Sequence, residues 1–140
     1  MNYIRIALSA IAATVAYYLF GSIGGALFAN YYSQYAAVFR PREMIVGYMP
    51  LGFAGTFIAA LALTMIYAAA YRGKSGALEG LRFGALIGVF IIGAGVVHDF
   101  VILNVGLNLA LVEASGQFFG WLLAGIVIGL IYRPHRIEAS

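Results

Sequence analysis

Cysteine is absent from this chain, and charge is scarce. Without cysteine there is no disulfide, no thiol chemistry and no cysteine metal site, and the redox compartment is left open. Charged residues make up 9% of the 140 residues, where a soluble domain carries about a quarter. Only three prolines occur, Pro41, Pro50 and Pro134, and only two histidines, His98 and His135. His135 falls in the C-terminal tail, so the apolar runs hold no second histidine for bis-histidine haem ligation. No glycine-rich phosphate loop precedes a helix, and neither His-Glu-x-x-His nor Gly-x-Ser-x-Gly occurs. Low-complexity tails and runs of bases are absent too.

What fills the chain is apolar. Hydrophobic residues make up 64%. A soluble fold of this length cannot hide so much apolar surface, so lipid must be the solvent for much of it. The eight Lys and Arg sit in short flanks of apolar runs and read as topology signals, so no nucleic-acid partner is expected. Arg5 followed by residues 6–20 has the outline of a signal peptide. The apolar run continues through residue 28, too long for that role, and residues 26–29 make a poor cleavage site. An uncleaved first helix is expected instead.

The fold class expected is an all-α integral membrane protein, a single domain over residues 1–140. Four transmembrane helices over about 4–29, 43–71, 81–103 and 109–132 form two hairpins. Residues 30–42 and 104–108 are the outer connections and 72–80 the inner one. Tyr31, Tyr32, Tyr35 and Phe39 suit an interfacial belt, and their spacing fits a short amphipathic helix on the membrane. Pro41 fits the start of the second helix, Glu43 favours its positive end, and Pro50 kinks it. An N-in, C-in threading puts Arg5, Arg72, Lys74, Arg82, Arg133 and Arg136 inside and only Arg40 and Arg42 outside. The location expected is a cell membrane, of the bacterial inner-membrane kind. Helices 2 and 4 end alike, at Tyr71-Arg72 and Tyr132-Arg133, which permits a two-plus-two duplication.

Two features stand out between Gly80 and Glu113. Gly80, Gly84 and Gly88 form a double small-xxx-small row, a sign of close helix contact. Gly116 and Gly120 give the fourth helix a row of its own, with Trp121 expected mid-span against a neighbour. These glycine faces could meet a second copy or another membrane subunit. The second feature is ionisable. Asn104-Val105-Gly106-Leu107-Asn108 carries turn chemistry. Counting back from that tip levels Asp99 with Glu113, both about 6 Å below it. His98 is adjacent, and Gln117 lies one turn deeper than Glu113. Two carboxylates at one level repel, so a base must compensate or one stays protonated. Arg40 and Arg42 come from the other outer connection, beside Glu43. The expected outer cluster is therefore Arg40, Arg42, Glu43, His98, Asp99, Glu113 and Gln117, as an ion-pair network or a ligand site.

No catalytic residue, metal or cofactor is assigned. His98 and Asp99 are neighbours on a helix and point about 100° apart, so they would not easily share one ion. Small multidrug exporters resemble the chain in helix number, but they carry a carboxylate in the first helix, where this chain has none. The function expected is non-catalytic: accessory, assembly or scaffold. The competing expectations are a homo-oligomeric transporter or channel for a small solute or ion, and a membrane enzyme with an outer His–carboxylate pair.

Overall fold

A computed structural model describes residues 2–71 and 75–132. Among them the chain is helical, with no strand. Four helices are long and apolar enough to cross a membrane: Tyr3–Leu27, Arg42–Ala70, Gly76–Ile102 and Leu107–Ile131. Arg72, Lys74, Arg133 and Arg136, which weigh most in the N-in, C-in expectation, lie outside the described residues. So does His135.

Local chemistry sets the ends. Helix α1 (Tyr3–Leu27) starts at Asn2, whose side chain accepts from the Arg5 N–H at 3.1 Å. Helix α2 (Ala29–Ser33) is a short extension in the first connection. Helix α3 (Arg42–Ala70) begins after Pro41, which holds an extended backbone, and carries Glu43 in its first turn. Pro50 lies inside it. Helix α4 (Gly76–Ile91) begins at residue 76, earlier than the sequence suggests. Ser75 occupies the cap position and Glu79 sits in the first turn, so residues 76–80 extend the span instead of belonging to the inner connection. The span then widens into a π-helical turn over Ile92–Val96 and resumes as α5 (Val97–Ile102). Gly93 and Gly95 lie in that turn, where weak helix preference and the missing Cβ ease the distortion. Helix α6 (Leu107–Ile131) follows a tip at residues 103–106.

Helix α6 is the hub. It packs along α4 on one side and α1 on the other, and α3 packs mainly on α1. Two ends can be distinguished: a base, where Gly76 and the end of α6 meet, and a tip, bearing α2 and residues 103–106. The base half is dense. Its core joins Ile6, Ala10 and Ala13 of α1, Ala60 and Tyr67 of α3, and Ala124 and Ile128 of α6. Tyr67 stands edge-on to Phe83 and Tyr132 and donates to the Gly76 carbonyl at 3.4 Å.

Glycine makes the α4–α6 contact possible. A Cβ on Gly80 would strike the Gly125 carbonyl oxygen, and one on Gly84 would lie 2.7 Å from the Trp121 oxygen. One on Gly88 would meet Phe118 at 2.8 Å. Backbones approach this closely only when side chains are missing, the usual device of helices in lipid. A Cβ on Gly120 would lie 3.0 Å from the Tyr17 ring of α1. Thr14 and Thr64 are buried and donate to the carbonyls one turn back, at 2.8 and 2.7 Å. The buried Ser9 Oγ has no hydrogen-bond partner among the described residues.

The tip half is different. Every residue of α3 from Arg42 to Gly55 is exposed, and Gly21, Gly24, Gly25 and Gly116 have nothing within 4 Å of an added Cβ. The bundle is sealed at one end and splayed at the other.

Candidate functional site

The splaying opens a cleft of about 400 Å³ between α1 and α6. From α1 it is lined by Tyr17, Phe20 and Phe28, with Gly21, Gly24 and Gly25 between them. Helix α2 adds Tyr32. Helix α6 supplies Glu113, Gly116, Gln117 and Phe119. The glycines create the space and the rings wall it.

Its floor is a hydrogen bond. The Tyr17 hydroxyl donates to Gln117 Oε1 at 2.9 Å. Tyr17 also lies against Trp121, with ring centroids 5.0 Å apart, so the floor rests on the first layer of the packed half. Tyr18, the next residue, turns to α3 instead: its ring stacks on Phe53 at 4.1 Å and its hydroxyl meets Thr56 Oγ1 at 3.2 Å.

A second cavity of about 190 Å³ adjoins the tip. Asp99 and Leu103 line it from α5 and beyond, Leu109 and Glu113 from α6, and Val38 and Phe39 from the first connection. Asp99 and Glu113 therefore share one cavity, and Glu113 lines both.

The other cluster candidates go elsewhere. Arg40 lies over the Tyr48 ring, 5.0 Å from its centroid. Among the described residues, Arg40 and Arg42 form no ion pair with Asp99 or Glu113. Arg40, Arg42 and Glu43 are exposed, and so is His98, which has no hydrogen bond to a described residue. The described side chains thus hold no His–carboxylate contact of the kind acid–base chemistry needs. No group of three or more His, Cys, Asp or Glu gathers among them. Gly80, Gly84, Gly88 and Gly120 face neighbouring helices, whereas Gly116 lines the cleft in open space.

The first connection tilts toward the cleft. Tyr31 donates to the Tyr35 hydroxyl at 3.3 Å, and their rings lie 5.2 Å apart. That bond, with lesser help from burial, pushes the Tyr31 phenol up to about 12. Burial also raises the Tyr32 phenol, and the Glu113 charge adds to it. The carboxylate is thus felt by Tyr32 across the mouth of the cleft.

Tyr17, Tyr32 and the α1 glycines are the site residues that sequence reasoning missed as a group. Tyr17 and Gln117 are 100 residues apart, and nothing local signals their meeting. No family model, curated protein or solved structure matches the chain.

Proposed function

We propose that this chain is a multi-pass protein of the cell membrane, threaded N-in and C-in, with a non-catalytic accessory or assembly role. It acts by holding another component in its tip-side cleft and not by conducting or converting one. A single observation carries the reading. Among the described residues, the two cavities lie in the tip half, while in the base half α4 and α6 run in backbone contact at Gly80, Gly84, Gly125 and Gly129. A transport path needs polar lining through both halves. Among the described residues, the buried serine and threonines of the base half are Ser9 and Thr64, with Thr14 just above them, and the threonines are spent on their own helices.

Two measurements on the full chain test this. The chain has no native cysteine, so single cysteines report topology directly. Cysteines at Ser33 and Asn104 should react with an impermeant maleimide from outside intact cells, and one at Ser75 only after lysis. Proteoliposomes should leak small ions and neutral solutes no faster than empty vesicles. Sustained flux through the wild-type protein above that of empty vesicles would overturn the non-conducting reading.

A further inference from the structure

We propose that the α1–α6 cleft is a binding site for a lipophilic organic cation: a protonated amine or quaternary centre on an apolar body. The proposal deepens the preceding reading, since it takes the protein as a binder.

Size and walls come first. A volume of about 400 Å³ falls within the range of about 300–1,000 Å³ typical of small-molecule sites, which are mostly apolar with a few placed polar groups. Tyr17, Phe20, Phe28, Tyr32 and Phe119 supply aromatic wall on several sides. Ring faces carry negative potential and attract cations most strongly where water is excluded. Gly21, Gly24, Gly25 and Gly116 leave a slot with nothing within 4 Å of their Cβ positions, room for a flat or branched apolar body.

Charge comes second. Glu113 is the one ionisable acid lining the cleft, and Asp99 joins it in the adjoining cavity. Neither cavity is lined by Lys, Arg or His, and Arg40 is turned away onto Tyr48. A carboxylate against apolar walls with no base beside it favours an incoming cation. Gln117 adds polarity at the floor, its Oε1 already accepting from Tyr17. The missing base also decides between amines. A zwitterionic phospholipid would bring a phosphate that nothing in the lining matches, whereas an amine or quaternary cation without phosphate leaves no group unpaired.

The test uses tetraphenylphosphonium as the cation and triphenylphosphine oxide as its neutral counterpart, with the full chain in nanodiscs. Trp121 is the chain's one tryptophan and touches Tyr17, so its fluorescence reports on the floor of the cleft. Tetraphenylphosphonium should bind saturably and perturb Trp121, and the neutral oxide should not compete. Glu113→Gln should weaken binding about tenfold, equivalent to ~1.4 kcal/mol. Gly116→Leu, which fills the slot, should abolish binding while thermal melting shows the bundle still folded. Absence of saturable binding to folded wild-type protein, or equal affinity in Glu113→Gln, would overturn the proposal. So would spontaneous disulfide-linked dimers of Gly24→Cys that exclude the cation, since a second copy would then own the cleft. Failure here leaves vesicle impermeability untouched. Conversely, saturable binding with uphill uptake of tetraphenylphosphonium into proteoliposomes would refute the non-conducting reading and keep the site.

Discussion

Tyr17 and Gln117 meet by a 2.9 Å hydrogen bond at the level where the bundle changes character. Toward the base, α6 is packed on both sides, with Trp121, Ala124 and Ile128 buried. Toward the tip, Glu113, Gly116 and Phe119 face open space. The pair ties α1 to α6 at the last point of close contact. Tyr17→Phe and Gln117→Leu should each lower stability, and a double-mutant cycle should give a coupling of about 0.6 kcal/mol, the average for interhelical bonds in lipid. Thermal melting in one detergent at fixed concentration measures it.

The glycines divide into two classes by what surrounds them. Gly84→Leu drives a side chain into the Trp121 and Leu122 backbone, which cannot yield. It should cost ~3 kcal/mol or more and appear as aggregation on size exclusion. Gly24→Leu enters open space and should change stability by less than about 0.5 kcal/mol. Equal tolerance of the two would refute the division into a sealed and a splayed half.

Ser9 is a third case. Its Oγ is buried without a partner, so its hydroxyl is a candidate to be lost at no cost. Ser9→Ala should be neutral or stabilising by up to ~1 kcal/mol, since an unpaired buried polar group opposes folding. Ser9→Leu should destabilise the base by overpacking against a fully buried position.

The first connection carries a pH signature. The Tyr31 phenol titrates near 12 because its proton is held in the bond to Tyr35. A raised folded value means the folded chain keeps that proton longer than the unfolded chain does. The contribution is complete below about pH 10, the ordinary tyrosine value, and is lost as pH rises toward 12. Carbon-13 labelled tyrosine should show one resonance titrating near 12 in the wild type. Tyr35→Phe should bring it down toward the ordinary range.

The four long helices are legible because each is a long apolar run, and the tip is legible from Asn104 and Asn108 around Gly106. Counting outward from it sets Asp99 opposite Glu113, and the two line one cavity. The start of α4 is less legible: Gly76 reads as a turn residue, yet it is buried within the helix. Glycine is a weak helix former, yet in α4 it is the residue that lets the helix touch α6. The choice of neighbours is not legible at all. Helix order in space depends on which faces fit, and residues 100 apart carry no local mark of meeting. The destination of Arg40 is hidden for a similar reason. Its guanidinium rests over the Tyr48 ring, a partner that the sequence pattern does not mark.

The π turn at Ile92–Val96 has a geometric consequence. In an uninterrupted α-helix, Gly88 and Asp99 would fall within about 20° of each other around the axis. Asp99 would then lie on the seam where Gly88 meets Phe118. The wide turn spends one residue more and rotates everything beyond it by about 100° relative to that seam. The turn works as a phase shifter: it takes the carboxylate off the helix–helix contact and delivers it to the cavity lined by Val38 and Phe39. One extra residue, in a turn that holds two glycines, decides whether this acid is part of a joint or part of a wall.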